Sequence, residues 1–224
     1  MTVLRGELPR LRAAVLPGVF RPRSDTWLLA RAALAQELPA GARVLELCAG
    51  PAVAGVAAAR AHSAALTTVD VSRRAVVNAV LNARLNGVAI RARRGDLLAP
   101  VAGERFDLIL ANPPYVPGPD PRPAGAGRAW NGGADGRAVL DRLCAAAPGQ
   151  LAPGGVLLVV HSEVCDPEAT LAAFRAAGLA AGVAARHRGP LGPLLRARRA
   201  SLEAHGRLLP GQATEEVLVL RGQA

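Results

Sequence analysis

The sequence predicts an α/β fold: a mostly parallel, doubly wound sheet of seven strands with one antiparallel edge strand. Three observations lead there. Short apolar runs alternate with stretches of helical period along most of the chain. The first four runs each close on an acid or an amide at a turn: Glu46, Asp70, Asp96 and Asn112. The last two runs lie too far along for another simple strand–helix–strand repeat, which turns one of them antiparallel.

Residues 1–25 carry little periodicity. Leu4, Leu8 and Leu11 form a weak apolar stripe that Pro9 and Pro17 interrupt. Arg21 to Asp25 is a turn-rich approach to a helix starting near Thr26, with Ser24 or Asp25 as its cap. That helix should reach about Glu37, burying Trp27, Leu28, Leu34 and Leu38, and Pro39-Ala40-Gly41 ends it. Arg43–Leu47 is the first core strand, Cys48–Ala52 a tight turn, and the Ala-rich run 53–61 a helix. Leu66–Asp70 is the next strand. Ser72 then caps a helix whose apolar side would be Val76, Val77, Val80, Leu81 and Leu85, with Gly87 closing it in the left-handed conformation.

Val88–Arg93 reads as a third, more exposed strand ending at Gly95-Asp96-Leu97, and Phe106–Ala111 as a buried fourth. The Pro- and Gly-rich stretch 116–134 is expected to be a lid that contacts substrate. Asp135 should cap a helix to about Ala147. Gly155–His161 is a strand, Pro167–Ala177 a helix, and Leu179–Arg186 and Glu215–Leu220 the last two strands. A basic stretch, Arg188–Arg199, lies between those two.

A chain of 224 residues is long enough for one such domain and its core. The formal charge is +10, and every one of the 27 cationic residues is Arg. With the heavy Ala, Gly and Pro usage, that reads first as a coding bias with solvated arginines, and second as a surface suited to RNA-rich surroundings. Arg122, Arg128, Arg188, Arg196, Arg198 and Arg199 would carry such a footprint. Cys48, Cys144 and Cys165 lack metal or disulfide spacing, as do the four histidines, so no metal is expected. No apolar run approaches the roughly 20 residues of a membrane span, and no secretory leader is evident, so no membrane is expected and the expected location is cytoplasmic.

The chemistry centres on Asn112-Pro113-Pro114-Tyr115. Two prolines after a strand stop the ladder and fix the exit of the chain, and a residue before proline is held extended. An amide and a carbonyl that accept hydrogens, beside an aromatic ring, suit a planar –NH2 group. Upstream, Glu46 ends the first strand and can accept from an ammonium or hydroxyl, while Gly50 lets backbone approach a ligand closely. Asp70 stands where a carboxylate takes ribose hydroxyls, and Asp96 where one accepts from an adenine amino group, with Leu97 against the ring. A nicotinamide cofactor would use the first two acids but leaves the third and the Asn112 turn unexplained. The ordered set fits S-adenosylmethionine.

Asn112–Tyr115, with Glu46-Leu47-Cys48-Ala49-Gly50, Asp70 and Asp96-Leu97, resembles the class I amino-methyltransferases, and within them the HemK family of protein-glutamine methyltransferases. Phe20 to Thr26, Trp130 to Gly136 and Glu215 to Val219 resemble its short branch. The resemblance covers most of the chain from about residue 18, so 1–25 is read as an extension and 26–224 as a methyltransferase domain of Rossmann-like fold. It implies that Thr26, Glu46, the Cys48–Gly50 backbone, Asp70, Asp96 and Leu97 hold S-adenosylmethionine, and that Asn112 and Pro113 hold the target amide with Tyr115 stacked on it. The product would be S-adenosylhomocysteine and the acceptor a release-factor glutamine of Gly-Gly-Gln type. Cys48 and Ala52 stand where the family has glycine. Other acceptors sharing the planar amine are bases of RNA or DNA, small metabolites and peptides. A non-catalytic module docking through Arg188–Arg199 is the reading outside catalysis. Nothing in the sequence assigns an activating subunit.

Overall fold

A computed structural model describes residues 2–5, 11–118 and 125–224 of the chain. Two short antiparallel strands come first, β1 (Thr2–Arg5) and β2 (Arg12–Val15), then helix α1 (Ser24–Leu34). The alternating body follows: β3 (Arg43–Leu47), α2 (Val53–His62), β4 (Ala65–Asp70), α3 (Arg73–Leu85), β5 (Ile90–Arg94) and β6 (Phe106–Ala111). Helix α4 (Ala138–Ala146), strand β7 (Leu151–Ser162), helix α5 (Pro167–Ala176) and strand β8 (Ala180–Pro190) continue it. Two short helices, α6 (Pro193–Arg196) and α7 (Arg199–Ala204), fall in the basic stretch before β9 (Thr214–Gln223).

The sheet has seven strands in the order β5-β4-β3-β6-β7-β9-β8. From β5 across to β7 every pairing is parallel. At the other end β9 runs antiparallel, tucked between β7 and the edge strand β8. The chain leaves β3 outward through β4 and β5, then returns to lay β6 on the opposite side of β3. That reversal leaves a crevice above the carboxyl ends of β3 and β6, where ligands of open α/β sheets bind.

Helices α1 and α2, with part of α3, cover one face around Leu29, Val44, Leu108 and Leu158. Helices α4 and α5 cover the other around Leu47, Ile109, Leu143 and Phe174. Strands β3 and β6 are buried on both faces, which explains their continuous apolar runs. Among the described residues no helix is long and apolar enough to cross a membrane.

Helix α3 departs from the expectation. Val77 and Leu85 point outward at 59% and 38% exposure, while Asn78 and Asn82 are buried with Ala79 and Ala83. The cause is β2, whose backbone needs partners where it crosses α3. Asn78, Asn82 and Asn86 supply them: their side-chain oxygens accept from the N–H of Leu16, Ala14 and Arg12 at 2.8, 2.8 and 2.9 Å. Their amides return bonds to the carbonyls of Ala14 and Arg12. Satisfying buried backbone groups outweighs the hydrophobic preference of Val77 and Leu85.

Other differences are small. Helix α1 begins at Ser24 and ends at Leu34, so Asp25 sits inside the first turn instead of capping it. Helix α4 begins at Ala138, and Asp135 folds back to accept from the Arg137 N–H. The stretch read as a lid is described at 116–118 and 125–134, where Val116 pairs with Asn131. Its remainder, with Arg122, lies outside the described residues.

Candidate active site

A cavity of about 810 Å³ opens above the crevice, and Thr26, Glu46, Cys48, Gly50, Asp70, Asp96, Leu97, Asn112, Pro113 and Tyr115 all line it. The strand register brings them there. Leu47 sits opposite Val69 on one side and Ala111 on the other, so the turns after β3, β4 and β6 leave the sheet at one level.

The turn after β3 is left-handed at Cys48, Gly50 and Ala52, with φ of 51°, 51° and 57°. Glycine adopts that backbone freely, while Cys48 and Ala52 carry a Cβ there at a cost of about 1–2 kcal/mol each. Hydrogen bonds hold the turn in place. Gly50 N–H donates to Asp70 Oδ2 at 2.8 Å, Ala52 N–H to the Ala49 carbonyl at 2.7 Å, and Asn82 Nδ2 to the Pro51 carbonyl at 2.7 Å. A Cβ built on Gly50 would meet nothing within 4 Å, so its backbone faces open space in the cavity.

With Ala52 as its N-cap, α2 has no side-chain cap of its own. Glu46 fills that role, accepting from Gly55 N–H at 2.8 Å. Gly55 is obligatory in this packing: a Cβ there would lie 2.5 Å from Glu46 Oε2 and 2.9 Å from Leu66 Cδ1. Burial pushes the Glu46 carboxyl up to about 8, the Gly55 N–H pulling against it and the Asp70 charge adding to it. Its proton therefore stays on at neutral pH. Burial also raises Asp70, opposed by the N–H groups of Ser72 and Gly50. Asp96 is more open and pairs with Arg142 at 2.5 Å, both side chains more than half exposed. A ligand amine would therefore share the Asp96 carboxylate with a guanidinium.

The acceptor-side residues form a hydrogen-bonded chain with the start of α1. Asn112 Nδ2 donates to Thr26 Oγ1 at 3.3 Å, and Thr26 Oγ1 donates to Asp25 Oδ1 at 3.1 Å. Tyr115 OH donates to Asp25 Oδ2 at 3.0 Å. Burial, then the Asp25 charge, holds the phenol well above its ordinary range, so it remains a donor. Among the described residues nothing donates to Asn112 Oδ1 or to the Pro113 carbonyl, and both residues line the cavity.

The turn is backed from behind. A Cβ on Gly132 would lie 2.7 Å from the Pro114 carbonyl, and one on Gly136 would collide with that of Tyr115. Cys165 Sγ donates to the Tyr115 carbonyl at 2.9 Å. Buried Arg137 bonds the Cys165 and Asp166 carbonyls and Thr170 Oγ1. His161, also bonded to Thr170, lies outside the cavity and is held neutral by burial at about 4. Trp130 lines the cavity half-buried under the Arg198 guanidinium, 4.3 Å from its ring.

Sequence reasoning missed Asp25 and Arg137. Asp25 carried a signal, an acid beside Thr26 in the stretch quoted for the resemblance, but an acid before a helix reads as a cap. Arg137 carried none among so many arginines.

The donor set suits the cofactor. A turn of open backbone, a strand-end carboxylate 20 residues after Gly50 and an apolar residue beside the third acid match an amino-acid tail, a ribose and an adenine in that order. This fold and this site define an S-adenosylmethionine-dependent N-methyltransferase.

The family model described as the methyltransferase small domain matches residues 11–180, and the chain belongs to that family, in its HemK-like branch. A Methanocaldococcus jannaschii protein, provisionally named protein N5-glutamine methyltransferase MJ0928, is 30% identical over 84% of this chain and 95% of its own. The release factor glutamine methyltransferase of Bordetella pertussis is 38% identical over 74% of this chain, which spans only 64% of that relative's length. Among solved structures, the E. cuniculi Mtq2–Trm112 complex, described as methylating the translation termination factor eRF1, superposes with a TM-score of 0.59. It covers 92% of this chain and 98% of that chain at 23% identity, a likeness of fold.

Proposed function

We propose that this methyltransferase acts on the side-chain amide nitrogen of a glutamine in a protein, with the Gly-Gly-Gln loop of a peptide chain release factor as its first substrate. One observation carries the reading: Asn112 is tied at its nitrogen to Thr26, and its oxygen and the Pro113 carbonyl are two acceptors that no described residue claims at the end of β6. A primary amide offers two hydrogens to match. The names of the M. jannaschii and B. pertussis relatives point to the same acceptor.

S-adenosylmethionine, when bound, supplies a methyl group on a positively charged sulfur. Thr26, the Cys48–Gly50 backbone, Asp70, Asp96 and Leu97 would hold it, and Glu46 would keep the turn and α2 in register beneath. An amide nitrogen is a weak nucleophile because its lone pair is shared with the carbonyl. Asn112 Oδ1 and the Pro113 carbonyl, each accepting one amide hydrogen, return density to nitrogen. Both contacts strengthen as positive charge grows there, so the stabilisation is specific to the transition state. Tyr115 offers its ring to the amide plane. The methylated nitrogen is left with one proton too many and is strongly acidic, so that proton passes to water and no strong base is needed.

The test is transfer of label from S-adenosylmethionine to a purified release factor, located by mass spectrometry on the glutamine of Gly-Gly-Gln. Because the Mtq2 neighbour is a two-subunit complex, the assay is run with and without a Trm112-type protein. Asn112→Ala should keep cofactor affinity by calorimetry and lose most turnover, whereas Asp70→Ala should lose affinity. Label that enters RNA or a small molecule and leaves the release factor unmodified would replace this acceptor.

A further inference from the structure

We infer that Asp25 is a positioning residue that, through Thr26, fixes which end of the Asn112 carboxamide faces the acceptor. The inference rests on the reading of Asn112 as the group that grips the target amide. An asparagine side chain has two nearly isosteric ends, and only one, the oxygen, accepts the hydrogens of a substrate –NH2. A flipped Asn112 would present its own NH2 to another NH2, so the site needs something that tells the ends apart.

Thr26 supplies the discrimination, because its hydroxyl is fully committed. A hydroxyl has one hydrogen to give and two lone pairs. The backbone N–H of Arg23 approaches Thr26 Oγ1 at 3.4 Å and can only donate, which takes one lone pair. Asp25 Oδ1, 3.1 Å away, is a carboxylate oxygen and accepts the single hydrogen. One lone pair remains, and Asn112 faces it at 3.3 Å, so the Asn112 group there must be the NH2. The oxygen is thereby turned to the cavity.

Asp25 settles the polarity of Tyr115 by the same logic. Its second oxygen, Oδ2, accepts the phenol hydrogen at 3.0 Å, while Oδ1 also takes the Thr26 N–H at 2.6 Å. Asp25 and Thr26 are 5% and 8% exposed, so little water competes for these groups. One acceptor-only side chain in the first turn of α1 thus imposes a direction on both side chains of the motif after β6. An asparagine at position 25 would keep its oxygen toward the Thr26 N–H and hydroxyl and turn its NH2 to Tyr115, whereas an alanine would leave the Thr26 hydrogen free to turn to Asn112.

The experiment compares Asp25→Ala, Thr26→Val and Thr26→Ser in two readouts. With a Gly-Gly-Gln release factor as probe, Asp25→Ala and Thr26→Val should lower kcat about 10- to 100-fold, as expected when a reacting group is misaligned. Affinity for S-adenosylmethionine and KM for the release factor should be unchanged with Asp25→Ala. Thr26→Ser, which keeps the hydroxyl, should restore most of kcat, and Asp25→Ala should add little to Asn112→Ala. In the second readout, nitrogen-15 spectra of the cofactor-free protein, the Asn112 NH2 pair (assigned by its loss in Asn112→Ala) should shift in both Asp25→Ala and Thr26→Val. Wild-type kcat in folded Asp25→Ala, additivity with Asn112→Ala, or an Asn112 signal indifferent to Thr26→Val would each overturn the inference. A wild-type protein that leaves the release factor unmethylated overturns the acceptor assignment, and the spectra still decide the relay.

Discussion

Replacing Glu46 by glutamine should make the protein more stable at alkaline pH, and the size of the gain follows from one buried carboxyl. In the folded chain that group is raised from its ordinary 4.5 to about 8. Below pH 4.5 it is protonated whether the chain is folded or not and contributes nothing. Between 4.5 and about 8 only the unfolded chain releases the proton, so stability falls as pH rises, by up to about 1.4 kcal/mol per unit. Above 8 both states are ionised and the penalty is constant. His161 complicates the lower part of this range: its folded value of about 4 lies below its ordinary 6.5, so it adds stability as pH rises from 4 to 6.5 and nothing further above. The clean window is therefore pH 6.5–8, over which Glu46 costs about 1.5–2 kcal/mol, or about 3–8 °C in Tm for a chain of this size.

Glu46→Gln keeps an oxygen for the Gly55 N–H and has no proton to lose. Calorimetric melting of the cofactor-free protein at several pH values should show the wild type losing those degrees across the window and the variant staying nearly flat. Asp70, also raised, titrates in both proteins, so the difference between them isolates Glu46. Equal slopes for the two proteins would mean that Glu46 is ionised in the fold, and the account of it as a neutral cap for α2 would fail.

Three further outcomes test the packing around the site. Asn82→Ala strips partners from Ala14 N–H and the Pro51 carbonyl and should cost about 2–4 kcal/mol in urea unfolding, with weaker cofactor affinity because Pro51 belongs to the cofactor turn. Gly132→Ala would push a methyl against the Pro114 and Gly136 carbonyls and should lower kcat about 10-fold or more while leaving cofactor affinity intact, measured on the release factor. Tyr115→Phe keeps the ring but removes the hydrogen bond to Asp25, and should cost about 1 kcal/mol of stability by urea unfolding.

The alternating body of the fold was legible because each of its strands is a dense apolar run bounded by turn residues. Strand β3 spans Arg43–Leu47 as expected, and β6 spans Phe106–Ala111. Strand β9 was legible as a strand, but its seat between β7 and β8 depends on long-range pairing that no local pattern encodes. The outward side of α3 was misread for a clear reason: valines at helical spacing signal a buried face, and only the arrival of β2 reverses the preference. Candidate site residues were legible where they end strands, as with Asp70 and Asn112. Asp25 was visible only as a cap, because its partners Thr26 and Tyr115 come together through tertiary structure.

The asparagine row on α3 shows how a helix can pair with a strand. Four helical residues advance about 6.0 Å and two antiparallel strand residues about 6.8 Å. Side chains at positions 78, 82 and 86 can therefore reach alternate strand residues 16, 14 and 12 with a mismatch of only about 0.8 Å per step. A third step, to a fourth residue, would leave about 2.4 Å, more than a hydrogen bond tolerates, and the helix ends at Leu85 before it is needed. The middle member, Asn82, also donates to the Pro51 carbonyl. One short polar row thus ties residues 12–16 to the turn that faces the cofactor, while Asp25 and Thr26, 9 and 10 residues further along from Leu16, hold the acceptor motif. Loosening β2 should therefore disturb both halves of the reaction site together, through connections that involve none of the reacting groups.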